Sequence, residues 1–76
     1  MDEIYRVYKN GELVKMTYAE ICHDLGFRPE CTYVDITTSG SITFTCGKTD
    51  EAKALAEACR QNGYKVSKRL EAAIRR

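Results

Sequence analysis

The stretch YRVYKNGELVK, residues 5–15, decides how the fold begins. Asn10-Gly11 at its centre is the dipeptide that a type I′ turn prefers, because both central residues of that turn take a positive φ. The stretch therefore predicts a β-hairpin with a two-residue loop. That loop fixes a pairing of Lys9 with Glu12, Val7 with Val14 and Tyr5 with Met16.

The two faces of this hairpin differ in composition, because successive strand residues point to opposite sides. Tyr5, Val7, Val14 and Met16 share the face that we expect to be buried. The opposite face places Tyr8 beside Leu13, together with Arg6 and Lys15. Tyr8 and Leu13 form either an ordinary cross-strand pair or a contact for a partner.

A helix is predicted directly after the hairpin. Thr17 and Glu20 have the spacing of a capping box, and Gly26 followed by Pro29 indicates where the helix ends. Its apolar positions are spaced as in one buried stripe, which consists of Tyr18, Ile21, Cys22 and Leu25.

A second hairpin and helix are predicted over residues 32–62. Strands over 32–38 and 42–46, joined by a three-residue loop at 39–41, put their apolar side chains on one face. These side chains are Val34 and Ile36 on one strand and Ile42, Phe44 and Cys46 on the other. Thr49 or Asp50 is expected to cap the next helix, which ends at Asn62-Gly63. Its apolar stripe is Ala52, Leu55, Ala56 and Cys59.

Residues 64–68 have the composition of a fifth strand, and Leu70, Ala73 and Ile74 that of a short helix or frayed end. The sequence thus predicts a single α+β domain over residues 1–76, with the order ββαββαβ. We expect an antiparallel-rich sheet with its helices on one face. The domain then divides into two hairpin-plus-helix units, 4–26 and 32–62, and a basic C-terminal segment, 63–76.

The four cysteines and the single histidine form the other conspicuous set. The N-terminus lacks a basic segment followed by an apolar run, so we expect a cytoplasmic protein, in which structural disulfides are rare. Two alternatives then stay open: a structural zinc, or cysteines that act as small buried hydrophobes. The predicted topology gathers Cys22 or His23, Cys31 and Cys46 at one end. His23 and Cys59 compete for the fourth ligand position.

Charge is distributed unevenly along the chain. Twelve Lys and Arg face eleven Asp and Glu, yet residues 60–76 carry +5 and residues 1–59 carry −4. A basic end indicates an anionic partner, either nucleic acid or an acidic protein face, unless it is only a solvated end. The residues concerned are Arg60, Lys65, Lys68, Arg69, Arg75 and Arg76.

No catalytic pattern stands out. His23 is the only histidine, and no carboxylate pair accompanies it. Gly47-Lys48-Thr49 is similar to the end of a phosphate-binding loop, but position 42, where the upstream glycine belongs, is isoleucine. We therefore expect a protein that is not an enzyme.

Residues 5–15 and the following YAEICHDLG, residues 18–26, resemble small proteins of phages and mobile elements in Gram-positive bacteria. Such proteins include anti-CRISPR proteins. The resemblance implies an inhibitor that binds a protein domain of a CRISPR effector nuclease in the host cytoplasm and blocks DNA loading or activation. The nearly balanced charge argues against a mimic of DNA. The alternative is a nucleic-acid-binding accessory or regulatory protein that uses the basic segment.

Overall fold

The first hairpin forms with the predicted register in a computed structural model that describes residues 3–31, 33–45 and 49–75. Strand β1 (Ile4–Lys9) pairs antiparallel with β2 (Glu12–Thr17), with Val7 opposite Val14. Asn10 and Gly11 have φ values of 55° and 81°, as a type I′ turn requires. For Cys31 and Thr49 only the backbone is described.

Helix α1 (Tyr18–Leu25) begins with the predicted capping box. The Glu20 backbone N–H donates to the Thr17 hydroxyl at 3.2 Å, and the Thr17 backbone N–H donates to the Glu20 carboxylate at 2.9 Å. The Thr17 backbone N–H and hydroxyl both donate to the Glu20 carboxylate, and these two bonds hold the pKa of Glu20 below its ordinary value. Gly26 ends the helix in the left-handed conformation, φ 78°. The interior side of the helix buries Ile21, Cys22 and Leu25.

A 3-10 turn (Pro29–Cys31) leads into a second hairpin of two short strands, β3 (Val34–Ile36) and β4 (Ile42–Phe44). The predicted register of this hairpin is wrong by two residues, because Val34 lies opposite Phe44 and Ile36 opposite Ile42. A shift of two leaves every side chain on its face. The prediction that these four apolar residues share a face is confirmed.

The cause of the shift is the position of the loop. The Thr37 backbone N–H donates to the Ser41 carbonyl at 2.8 Å, so the three-residue loop covers 38–40 rather than 39–41. Gly40 closes it with φ 84° and donates to the Thr37 carbonyl at 3.0 Å. A three-residue loop takes its left-handed residue last, and Gly40 is the residue suited to that place.

Helix α2 (Thr49–Asn62) buries Ala52, Leu55 and Cys59, as predicted, and Gly63 ends it with φ 80°. The helix already includes both Thr49 and Asp50, so neither predicted cap precedes it, and the residue before Thr49 lies outside the described part.

Residues 63–67, named here the connector, do not form the predicted fifth strand. Two isolated bridges tie them to the hairpins, one antiparallel between Lys9 and Tyr64 and one parallel between Ile42 and Val66. The Lys65 backbone donates to the Tyr8 carbonyl at 3.1 Å and accepts from the Ile42 N–H at 2.8 Å. The connector therefore joins two separate two-stranded sheets where we expected one sheet.

The chain ends in helix α3 (Lys68–Ile74), capped by the Ser67 hydroxyl, which accepts from the Leu70 N–H at 3.1 Å. The order is thus ββαββαα, and the α+β class is confirmed. The radius of gyration, 11.3 Å, equals that of one compact domain of this length, about 11 Å. No helix in the described ranges combines the length and apolar character that crossing a membrane requires.

One apolar core joins the inward sides of both hairpins to α1, α2 and α3. Its largest fully buried side chains are Val7, Ile21, Cys22, Ile42, Leu55, Cys59 and Leu70.

Candidate functional site

The side of the first hairpin that faces away from this core carries the most unusual surface. It consists of Ile4, Arg6, Tyr8, Leu13, Lys15 and Thr17, and is named here the outer face. Ile4 is 61% exposed and Leu13 is 51% exposed. Within the described ranges, these two are the exposed large apolar residues. Single exposed apolar residues are common, but two on one sheet face, one of them paired with a tyrosine, indicate a contact surface.

Tyr8 is fixed at the turn end of the outer face. Its backbone N–H donates to the Gly40 carbonyl at 2.9 Å, and the ammonium of Lys65 lies 5.3 Å from its ring centroid. A Cβ placed on Gly40 would come within 3.0 Å of the Tyr8 ring. The ring is therefore held between the loop after β3 and a cation of the connector.

The outer face is basic. Arg6 lies opposite Lys15 across the hairpin, and Lys65 adds a third cation beside Tyr8. None of the six outer-face residues is acidic. The positive potential of such a surface attracts and orients an anionic partner.

Of the six basic residues singled out over 60–76, Lys65 is the one seen to contact the predicted Tyr8–Leu13 patch. Arg60 forms an ion pair with Glu57 on α2, and the guanidinium of Arg69 lies 4.8 Å from the centroid of Phe44. Lys68 and Arg75 are exposed on or next to α3, and Arg76 lies outside the described residues. The segment is thus distributed over several elements.

A shallow cleft of about 370 Å³ adjoins the outer face. It runs between β1 and the residues that follow β3, and it shares Ile4 and Arg6 with the outer face. Its lining is Ile4, Tyr5, Arg6, Ile36, Thr37 and Thr38. Sequence analysis missed this cleft, because its two walls are separated by some thirty positions in the chain.

The cysteines of the described part lie in the core. Cys22 and Cys59 are fully buried, and burial raises the pKa of the Cys59 thiol to about 12. His23, adjacent to Cys22, is exposed. Cys46 and the Cys31 side chain lie outside the description, and the remaining residues contain no group of three potential ligands that a metal could share. The zinc hypothesis stays a prediction.

A polar cluster that the sequence did not indicate holds the connector in place. The Asp24 carboxylate accepts from the Tyr64 hydroxyl at 2.6 Å and from the Lys9 ammonium at 2.9 Å. These hydrogen bonds, that from Tyr64 foremost, hold the pKa of Asp24 below its ordinary value. Burial and the bond to Asp24 raise the pKa of Tyr64. Forty positions separate Asp24 and Tyr64, so no local pattern links them.

A second groove, of about 550 Å³, lies between α2 and α3. Ala56, Val66 and Ile74 give it an apolar floor. Its four charged residues cancel, since Lys53 and Arg60 face Glu57 and Glu71. Electrostatics therefore selects no partner for this groove, in contrast to the outer face.

Comparison with known proteins adds no assignment: no protein-family model, curated protein or solved structure matches the chain.

Proposed function

We propose that this protein is a non-enzymatic interaction module that acts by stoichiometric binding of a protein partner through its outer face. The observation that carries the proposal is the presence of Ile4, Leu13 and three cations on one side of the first hairpin. Tyrosine and arginine are enriched in the strongest contacts of protein interfaces. The outer face offers both, together with two exposed apolar side chains, and Arg6 and Lys15 lie between Ile4 and the Tyr8–Leu13 pair.

A protein partner is favoured over nucleic acid by the environment of Tyr8. Single-stranded nucleic acids bind sheet surfaces by stacking bases on exposed aromatic rings. Lys65 lies over the Tyr8 ring and Gly40 packs closely against it, so the ring is poorly placed to stack on a base. The other apolar residues of the outer face, Ile4 and Leu13, are aliphatic. Binding of nucleic acid through the basic residues is the second choice.

The specific form of the proposal is an inhibitor of a CRISPR effector nuclease that acts in the cytoplasm of the host cell. Its support is the resemblance of residues 5–15 and 18–26 to proteins of mobile elements, together with the near balance of charges. The inhibitor would cover a protein domain of the nuclease and so block target DNA loading or activation.

The test is a DNA-cleavage assay with purified effector nucleases from Gram-positive bacteria, titrated with the purified chain. We expect cleavage by at least one nuclease to stop at a stoichiometric ratio. The variant Leu13→Asp should abolish inhibition, because it replaces one of the two exposed large apolar side chains of the outer face by a carboxylate opposite Tyr8. Lys53→Glu, in the exposed part of α2, is the matched control and should inhibit normally.

Two results would contradict the proposal. Full inhibition by Leu13→Asp would move the binding surface away from the outer face, and failure to inhibit any nuclease would remove the anti-CRISPR form. Binding of DNA or RNA in a gel-shift assay, with a steep loss of affinity as salt rises, would instead support the nucleic-acid alternative.

A further inference from the structure

We infer that the cleft beside β1 is the anchor pocket of the outer face, and that its occupant is an apolar side chain of an acidic protein segment. The segment's carboxylates would reach Arg6 and Lys15. The inference rests on the proposed function and adds to it the chemistry of the partner.

The lining of the cleft is suited to an apolar side chain. Ile4, Tyr5 and Ile36 supply apolar surface, and Thr37 and Thr38 line the remainder. Tyr5 is fixed, since its ring packs on Tyr18 at 6.1 Å between centroids and its hydroxyl donates to Glu3 at 2.6 Å. Preformed pockets that receive one apolar side chain are where interface energy concentrates.

Charge gives the occupant a direction. Arg6 lies at the side of the cleft that continues into the outer face, next to Lys15. Glu3 and Asp35 lie near Tyr5, and the hydrogen bond to Glu3, burial and the charges of both acids raise the pKa of its hydroxyl. Acidic residues of a partner are therefore favoured on the side of Arg6 and Lys15 and disfavoured on the side of Tyr5, where Glu3 and Asp35 lie.

The same charges argue against a second copy of this chain as the occupant. A two-fold interface through the outer face would place Arg6, Lys15 and Lys65 near their own copies, with no acidic residue on the outer face to pair them. Like charges in such a contact are destabilising. An acidic protein surface would instead place opposite charges against these cations.

The outer face alone is too small for a stable protein interface. Strands of this length extend about 20 Å, and the hairpin with the connector is about 14 Å wide, which gives a flat area of about 300 Å². A stable interface buries about 800 Å² on each partner. A partner that binds stably must extend beyond the hairpin, and the cleft is the adjoining concave surface.

The experiment is a titration of the ¹⁵N-labelled chain with blocked synthetic peptides, followed by amide chemical shifts. The first peptide has one phenylalanine followed by three glutamates; the second replaces phenylalanine by alanine; the third replaces the glutamates by lysines. The first peptide should shift amides of residues 4–6, 15 and 36–38. The second should bind at least fivefold more weakly, and the third should not saturate.

Arg6→Glu should weaken binding of the first peptide at least fivefold, whereas Lys53→Glu, the matched control, should not change it. Equal binding of the alanine peptide, equal binding of the lysine peptide, or shifts confined to the groove between α2 and α3 would each overturn the inference. If these occur while Leu13→Asp still abolishes nuclease inhibition, the proposed function stands and only the anchor pocket fails.

Discussion

The hydrogen bond between Tyr64 and Asp24 offers a quantitative test of how the connector is held. Tyr64 is 4% exposed, and its hydroxyl lies 2.6 Å from the carboxylate. A hydrogen bond to a charged group contributes about 1.5–3 kcal/mol. Lys9 also contacts Asp24, at 2.9 Å, but both side chains keep nearly a third of their surface in water. A partly exposed ion pair contributes below about 1 kcal/mol.

A double-mutant cycle separates the two interactions. Tyr64→Phe and Asp24→Asn, alone and together, should give a coupling free energy of about 2 kcal/mol. Lys9→Met with Asp24→Asn should give below about 1 kcal/mol. For a domain of this length, Tyr64→Phe should lower the melting temperature by about 8–16 °C, since each kcal/mol corresponds to about 4–8 °C. Urea and thermal unfolding, followed by circular dichroism, measure all of these values.

The pH dependence adds a second condition. The pKa of the Asp24 carboxyl is lowered in the folded state. The ionised carboxylate therefore makes its full contribution to the free energy of unfolding above the unfolded pKa of about 4, and this contribution is lost as pH falls through the folded pKa. The cost of Tyr64→Phe should accordingly shrink in acid. A larger coupling for Lys9 than for Tyr64, or a Tyr64 coupling that persists unchanged at pH 2, would refute this account.

Three further predictions concern the turn, the thiols and zinc. Gly40→Ala should lower the free energy of unfolding by about 2–3 kcal/mol in a denaturant titration, and the matched Gly11→Ala by about 1 kcal/mol. Both glycines have a positive φ, but of the two only Gly40 is crowded by Tyr8. Equal losses would contradict this. The Cys59 thiol, its pKa raised by burial to about 12, should resist a thiol reagent in the folded protein and react after denaturation; rapid native reaction would argue against its burial. The zinc hypothesis predicts about one zinc per chain by elemental analysis and unfolding by a chelator; a stable metal-free protein would exclude it.

The two hairpins show how much of this fold the sequence determines. Asn10-Gly11 permits one loop length, so the first register follows from two residues and is confirmed. The second hairpin has one glycine in a run of threonine and serine, and hydrophobic patterning cannot distinguish registers that differ by two. The positive φ needed at the last loop position decides between them, because only the loop over 38–40 places a glycine there.

The connector was mispredicted for a different reason. Its alternating composition favours a strand, but a strand needs a continuous ladder with a neighbour, and the connector shares its few hydrogen bonds between β1 and β4. The position of the connector depends on Asp24 of α1, which bonds both Tyr64 at the start of the connector and Lys9 of β1. Asp24 and Tyr64 are forty positions apart. Such long-range constraints have no counterpart in local propensity.

The candidate site depends partly on local sequence patterns and partly on contacts between distant residues. Tyr8 and Leu13 could be paired from the register alone, and the structure confirms that they lie opposite each other. Sequence alone could not show that Lys65 covers the Tyr8 ring, since this requires the connector to pass beside β1. This contact bears on the choice between the two expected partners: an open tyrosine among cations would favour stacked bases, whereas a covered ring leaves aliphatic and cationic surface suited to an acidic protein. Removing the cation by Lys65→Ala should therefore expose the ring and raise affinity for single-stranded DNA in a gel-shift assay at low salt. If affinity instead falls with the lost charge, the basic surface rather than the ring governs nucleic-acid binding, and the exclusion of bases from Tyr8 is wrong.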